Sequence, residues 1–342
     1  MKIKIAHRFI GDDELPLILP DVGINHEGDI EKALLLVDAA ANAGAEAIKF
    51  QTHFTEKEMI HTDMKPGKIS DERLFDIIKR CELSEDEHKE LQKRCEKRGI
   101  MFLSTPFSIE ASDFLDSINV PAFKIGSGEL TNIPFLEHIA EKGKPMIIST
   151  GMSELEEVMR SVDAIKKFNV PFILLQCTST YPSKHSDVKL GAMKVLRDEF
   201  NVPVGLSDHS FGIYTALGAV ALGACLVEKH FTLDRNWPGP DQKLSIEPDE
   251  LKELVVGSKA IHQALGSEKK IIEDELPVVE FARHCVVAIR DIKAGEILTE
   301  ENVWVKRPGT GEIHAKDLHR VLGKKAKHDI KYDSQLKWSH IE

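Results

Sequence analysis

The chain has 342 residues, 42% of them hydrophobic and 30% charged, with a formal net charge of −11 at pH 7. That is enough chain for one barrel-sized core or two ordinary domains, and the composition is that of a folded globular protein. It excludes nucleic acid as the main partner, and no run approaches the roughly 18 apolar residues of a membrane span.

The start of the chain places polar His7, Arg8, Asp12 and Asp13 behind Lys2 and Lys4, which is not the pattern of a secretory leader. The five cysteines (Cys81, Cys95, Cys177, Cys225 and Cys285) are odd in number, widely spaced and form no CxxC pair. They read as reduced thiols of a cytoplasmic protein. Residues 1–16, ahead of the first long apolar run, are expected to form a small hairpin.

Eight short apolar runs then recur: Leu17–Ile24, Ala47–Phe50, Ile100–Leu103, Ala122–Ile125, Pro145–Ser149, Pro171–Leu175, Pro203–Leu206 and Cys225–Glu228. Helix-like stretches lie between them. Ile30–Ala43 is one, and Ser84–Arg98 opens on an N-cap serine with acids in its first turn and stops at Gly99. Ser153–Phe168 has Glu156 placed for a capping box with Ser153. Phe211–Leu222 and Pro248–Leu265 follow. Eight strands alternating with helices over about 250 residues predict a (β/α)8 TIM barrel over 1–266. The rival doubly wound sheet would want a Gly-rich dinucleotide fingerprint, which is absent.

Beyond Gly266 the texture changes. A charged stretch, 267–282, reads as a linker, and 283–342 as a small mixed domain with apolar Cys285–Ile289 and Val303–Val305 and a helical piece near Lys316–Leu322. Residues 282–342 carry 12 Lys and Arg against 9 Asp and Glu, a net of +3, which leaves −14 on residues 1–281. Opposite charge on two domains favours their mutual attraction.

The active site of a TIM barrel lies at the C-terminal ends of its strands, and here every predicted strand runs into polar residues. In chain order these are Asp21, Asn25 and His26; Lys49, Gln51 and His53; Ser104 and Thr105; Lys124, Ser127 and Glu129; Ser149 and Thr150; Gln176, Thr178, Ser179 and Tyr181; Ser207, Asp208 and His209; Glu228, Lys229 and His230. Any one cluster reads most simply as a solvated strand end or an ordinary turn. Eight out of eight point to one site. Lys49 and Lys124 with Thr105, Ser127, Ser149 and Ser207 suit a small, multiply charged anion. His209 and His230 end adjacent strands and can share one divalent ion, leaving positions for water and substrate oxygens. Asp208 and Glu228, each near a histidine, could orient a ring or take a proton.

With these residues in place, the sequence resembles the N-acetylneuraminate (sialic acid) synthase family. The matching segments are Gly23-Ile-Asn-His-Glu-Gly28, Lys49-Phe-Gln-Thr-His53, Ser104-Thr-Pro-Phe-Ser108, Lys124-Ile-Gly-Ser-Gly-Glu129 and Ser149-Thr-Gly-Met152. They continue with Cys177-Thr-Ser-Thr-Tyr-Pro182, Gly205-Leu-Ser-Asp-His209, Glu228-Lys-His-Phe-Thr232, Pro238-Gly-Pro-Asp241 and Val305-Lys-Arg-Pro-Gly309. The resemblance implies a barrel followed by an antifreeze-protein-like (SAF) domain, in a domain-swapped homodimer. It implies condensation of phosphoenolpyruvate with N-acetylmannosamine or a related 2-acetamido sugar, with release of phosphate by C–O cleavage. Phosphoenolpyruvate would lie on Lys49, Thr105, Lys124, Ser127, Ser149 and Ser207, and a divalent ion (Mn2+ or Mg2+) on His209 and His230. Gln51, Tyr181 and Asp241 would shape the sugar pocket, and Arg307 would arrive from the partner's C-terminal domain.

Two positions depart from the family pattern. Asp21 stands where the family usually has Glu, and Asp21 or a neighbouring carboxylate would orient a sugar hydroxyl or move a proton. Ser179 stands where sialic acid synthases often have Asn, a form seen in pseudaminic acid synthases, so a pseudaminic or legionaminic acid synthase acting on a dideoxy-diacetamido hexose is the alternative. A lysine Schiff-base aldolase built on Lys49 or Lys124 is a lesser rival. A non-catalytic ice- or sugar-binding protein would leave the eight polar strand ends without a role.

Overall fold

The computed structural model describes residues 1–67 and 70–342. The chain divides into two compact units, Met1–Gly266 and Ser267–Glu342. Among the described residues no helix is long and apolar enough to cross a membrane.

The first unit opens with an antiparallel hairpin, β1 (Lys2–Ile5) and β2 (Arg8–Gly11). Eight strands follow: β3 (Leu17–Gly23), β4 (Ala47–Thr52), β5 (Met101–Pro106), β6 (Phe123–Ile125), β7 (Met146–Ser149), β8 (Phe172–Cys177), β9 (Val204–Asp208) and β10 (Leu226–His230). Each falls on one of the predicted apolar runs. All pair in parallel in the order β5-β4-β3-β10-β9-β8-β7-β6, so the last strand returns to the first. β5 and β6 lie side by side without ladder hydrogen bonds, which leaves one seam in an otherwise closed TIM-type barrel.

The helices are α1 (Ile30–Asn42), α2 (Thr55–Glu58), α3 (Leu74–Cys81), α4 (Glu85–Arg98), α5 (Ile109–Ser117), α6 (Ile133–Ala140), α7 (Leu155–Lys166), α8 (Ala192–Phe200), α9 (Tyr214–Ala221) and α10 (Pro248–Ala264). α4 has the expected cap: Ser84 Oγ accepts from Glu87 N, the Glu87 carboxylate accepts from Ser84 N at 2.7 Å, and Gly99 ends the helix at φ +71°. α7 starts one residue later than its sequence suggests. Ser153 Oγ donates to the Gly151 carbonyl instead of capping, and the Glu154 N–H donates to Glu157 at 2.8 Å. α3, α5, α6 and α8 have only eight or nine residues, little more than two turns, so their periodicity is faint in the sequence.

Strand residues alternate between two buried surfaces. One face packs on the helices. The other fills the barrel with Leu17, Leu19, Ala47, Met101, Leu103, Ala122, Ile147, Ile173, Leu175 and Leu226, joined by Ile3, Ile5 and Ile10 of the hairpin. The hairpin thus plugs the N-terminal end of the barrel with apolar side chains. The C-terminal end is the one left for chemistry.

In the second unit, α11 (Leu276–Ala282) buries none of its residues and lies within the stretch read as a linker. β11 (Cys285–Ala288) and β12 (Val303–Lys306) pair antiparallel over a core of Val286, Ile292, Leu298, Val303, Ile313, Val321 and Leu336. The helical piece expected near 316–322 is a short 3-10 helix, Ala315–Arg320.

Candidate active site

The inward-facing residues of each strand change character with height. Leu17 and Leu19 lead to Asp21 on β3; Ala47 leads to Lys49 and Gln51 on β4; Leu103 leads to Thr105 on β5. Ala122 leads to Lys124 on β6, Ile147 to Ser149 on β7, Leu175 to Cys177 on β8, and Leu226 to Glu228 and His230 on β10. These polar side chains converge on one cavity of about 340 Å3. Thirteen of the fourteen residues singled out from the sequence line it: Asp21, Lys49, Gln51, Thr105, Lys124, Ser127, Ser149, Ser179, Tyr181, Ser207, His209, His230 and Asp241. The fourteenth, Arg307, is an exposed residue just past β12 in the second unit.

The floor is a set of buried charges. Lys49 Nζ lies 2.9 Å from Asp21 Oδ1 and donates to Thr105 Oγ at 3.2 Å. Burial opposes both charges. At Lys49 it is outweighed by Asp21 and Glu228, so the pKa is raised; at Asp21 it is outweighed by Lys49 and His230, so the carboxyl stays below its usual range. Lys124 donates to Ser149 Oγ and to its neighbour's carbonyl at Ile125, both at 2.8 Å. Here burial wins despite Glu228 at 3.6 Å, with Lys49 a like charge nearby, and the pKa falls below that of an ordinary lysine. Glu228 Oε1 accepts from Ser207 Oγ at 3.0 Å, while its Oε2 is buried without a partner. The Thr105 and Ser149 hydroxyls each accept from a lysine, so their own hydrogens remain free to be given to an anion.

Above the floor stand two histidines with ring centroids 5.3 Å apart. His209 Nδ1 is 3.0 Å from the Thr178 carbonyl, which can only accept. That fixes one proton on Nδ1, so Nε2 is the nitrogen a metal would take; burial opposes the charged ring, but the Cys177 sulfur 3.8 Å from Nδ1 outweighs it and raises the His209 pKa, so a metal there would compete with a proton. His230 Nδ1 is buried with no partner among the described residues, and its Nε2 is 3.9 Å from Asp21 Oδ2. Burial lowers the His230 pKa against the pull of Asp21 and Asp241, which favours the neutral ring. Two imidazoles with available nitrogens, beside carboxylates and room for water, suit a divalent ion. Tyr181 leans on both rings, with centroids 4.3 Å from His209 and 6.0 Å from His230. Tyr181 is 36% exposed, yet its packing against the two rings and the nearby Cys177, Asp241 and Asp21 raise its pKa, so the hydroxyl keeps its proton.

One expected role fails. Asp208 does not orient a histidine: strand alternation turns it to the outer face, where it accepts from Lys229 Nζ at 3.0 Å, Thr215 Oγ at 2.6 Å and Ser210 N at 2.9 Å. Ser104 turns outward too and bonds Thr52 Oγ behind the sheet. Glu228, expected near a histidine, lines the cavity as well, and so do residues assigned no role from the sequence: Phe107, Cys177 and Met152. Counting by twos from Leu175 would have found Cys177. Phe107 and Met152 lie on loops, where that count has no hold. Gly151 is needed for closeness: a Cβ there would sit 2.3 Å from Ser179 Oγ and 2.8 Å from Ser127 Oγ.

Known proteins resemble this chain over nearly its whole length. A model of the NeuB family matches residues 36–270, and a SAF-domain model matches 283–342. The N,N'-diacetyllegionaminic acid synthase of Legionella pneumophila is 39% identical over 337 residues, covering 95% of this chain and 94% of the relative. The synthase of the same name from Campylobacter jejuni is 41% identical over 333 residues, covering 94% and 98%. The crystal structure of an N-acetylneuraminic acid (sialic acid) synthetase from Leptospira borgpetersenii in complex with citrate is 36% identical and aligns with a TM-score of 0.74 over 82% of this chain and 95% of that one. A barrel whose charged upper layers hold this cavity, followed by a SAF domain and matched over nearly its whole length by such relatives, belongs to the NeuB family.

Proposed function

We propose that the protein condenses phosphoenolpyruvate with the open-chain aldehyde of a 2-acetamido sugar, giving a nonulosonic acid and inorganic phosphate. The observation that carries this reading is the pairing, in one cavity, of a lysine-and-hydroxyl floor with two histidines that have free nitrogens. In the reaction, C3 of phosphoenolpyruvate bonds to the aldehyde carbon, water adds at C2, and the C2–O bond to phosphorus-bearing oxygen breaks to release phosphate. Lys49 and Lys124 offset the phosphate and carboxylate charge, the Thr105, Ser127 and Ser149 hydroxyls orient it, and Ser207 would join them by turning its hydrogen from Glu228 to the anion. His209 and His230 would hold a manganese or magnesium ion, which supplies Lewis-acid polarisation of the aldehyde. Gln51, Ser179, Tyr181 and Asp241 face the sugar, and Asp21 stands between the lysine floor and His230.

Two relatives that are N,N'-diacetyllegionaminic acid synthases, together with Ser179, support a dideoxy-diacetamido hexose over N-acetylmannosamine as the acceptor. We further propose a cytoplasmic homodimer in which Arg307 reaches the partner's barrel. Five free cysteines support that compartment. The test is incubation with phosphoenolpyruvate, Mn2+ and a panel of both sugar types, reading phosphate release and product mass. Product from a diacetamido hexose supports the full reading; product from N-acetylmannosamine alone corrects the sugar; no phosphate from any sugar defeats the reaction.

One feature supports a second reading. A buried lysine with a lowered pKa, such as Lys124, is what a Schiff-base aldolase uses on pyruvate. Borohydride trapping of pyruvate on Lys124 would favour it, whereas the hydrogen bonds to Ser149 and Ile125 hold this amine as a donor.

A further inference from the structure

Gln51 faces the cavity, but its amide is not free to choose which end it presents. His53, two residues on and just beyond β4, is 4% exposed and stacks on Phe107 with ring centroids 4.4 Å apart and planes 13° from parallel. Its Nδ1 lies 2.9 and 3.1 Å from the two carboxylate oxygens of Glu58, itself 6% exposed, and its Nε2 lies 2.9 Å from Gln51 Oε1. A carboxylate only accepts, so Nδ1 carries a hydrogen. The amide oxygen also only accepts, so Nε2 carries one too. With Oε1 toward the ring both contacts are satisfied by an imidazolium, and the buried Glu58 carboxylate at 2.9 Å is the charge that favours it over a neutral ring with Gln51 turned over.

We propose that Glu58 and His53 are a positioning pair that fixes the polarity of Gln51 toward the sugar. With Oε1 held by His53, Gln51 turns its NH2 group to the cavity and can only donate, which suits the carbonyl oxygen of an acetamido group. The device is reversible by one charge. Without the carboxylate the ring is neutral with a single N–H. If that hydrogen stays on Nδ1, Nε2 becomes an acceptor, Gln51 turns over to donate to it, and the cavity meets Oε1 where it had met NH2. An acetamido carbonyl then faces a like lone pair, and the contact becomes repulsive. Neither Glu58 nor His53 lines the cavity, and of the two lining residues His53 touches, Gln51 answers to the charge of the ring while Phe107 only stacks on it, so removing the Glu58 charge acts through Gln51. The choice of sugar group rests on the function proposed above; the protonation of His53 does not.

Two measurements on the full chain separate these. Histidine 15N spectra at neutral pH, with His53 assigned by its loss in His53→Gln, should show both ring nitrogens protonated in the wild type and only one in Glu58→Gln. A neutral His53 in the wild type overturns the proposal, whether or not the protein turns over. In kinetics, Glu58→Gln should raise KM for the acetamido sugar about ten-fold and leave KM for phosphoenolpyruvate within about two-fold. In a Gln51→Ala background the same substitution should add nothing to the sugar KM, because the residue it acts through is gone. An unchanged sugar KM, or an effect that persists in that background, overturns the pair's role. A wild type that releases no phosphate with any sugar defeats the proposed reaction instead, and the spectra still decide the pair.

Discussion

Replacing Asp21 by asparagine removes one charge from the middle of the barrel and keeps the side chain's size. Asp21 Oδ1 accepts from Lys49 Nζ and from the Gly23 N–H, each at 2.9 Å, with both charged side chains 6% exposed or less. Removing one partner of a buried pair costs about 3–5 kcal/mol. The amide oxygen of the replacement can keep the Gly23 N–H, and Lys49 retains the Thr105 hydroxyl and the charge of Glu228, so the lower end, about 3 kcal/mol at neutral pH, is expected. The pH dependence has a definite sign. The Asp21 pKa in the folded chain lies below its ordinary 3.8, because Lys49 and His230 outweigh burial. Its stabilisation is therefore complete above that ordinary value and is lost as the pH falls through the folded one. Urea unfolding followed by circular dichroism, stepped from pH 7 toward pH 3, should show Asp21→Asn well below wild type at neutral pH, with the gap closing in acid. Inorganic phosphate should stabilise the variant more than the wild type, since it gives Lys49 a replacement anion. A loss under about 1 kcal/mol at pH 7 would refute the pairing argument, since it falls far below what breaking a buried pair costs.

Three further outcomes test the site, the packing and the proposed dimer. His209→Ala and His230→Ala should each weaken Mn2+ binding, read by electron paramagnetic resonance on the fully assembled protein; a double variant with wild-type affinity would remove the histidines from the metal site. Gly205→Ala should lower the melting temperature, because the added Cβ would sit 2.2 Å from the Leu226 carbonyl, a backbone atom that cannot step aside; overpacking of this kind costs about 1–3 kcal/mol, and an unchanged melting temperature counts against the fit. Refolding equal amounts of His209→Ala and Arg307→Ala together should restore about a quarter of wild-type activity if Arg307 serves the partner's barrel, since about half the dimers are mixed and each has one complete site; activity no higher than the mean of the two parents rules out the exchange.

Much of the barrel was legible because its strands are short apolar runs, each ending in polar residues. The inward set was harder to read, and the reason is physical. A strand facing water on one side shows its phase as alternating apolar and polar residues, but a barrel strand is buried on both faces and shows none. Glu228-Lys229-His230 and Ser207-Asp208 therefore read as unbroken polar clusters. In the fold every second residue leaves the site: Lys229 and Asp208 neutralise each other behind the sheet, while Glu228, His230 and Ser207 enter the cavity. Phase becomes readable only when each strand is counted upward from its apolar base. The contact of His53 with Glu58 had no such signal, since a chain turn and a one-turn helix bring the two together.

The charges brought together in this way bear on what the site needs. Among the residues lining the cavity, two lysines face three carboxylates, Asp21, Glu228 and Asp241. Lys49 is already matched by Asp21 at 2.9 Å, and Lys124 has Glu228 at 3.6 Å. A floor so nearly self-neutralised supplies aimed donors and part of the charge a multiply charged anion needs, but not all of it. Adding phosphoenolpyruvate would leave the cavity strongly negative at close range and low dielectric. Positive charge must therefore come from elsewhere. A divalent ion on His209 and His230 is one source, and an arginine delivered by the second domain, as proposed for Arg307, is another. Binding of anion and metal should then be mutually reinforcing, each raising the affinity for the other by the same factor.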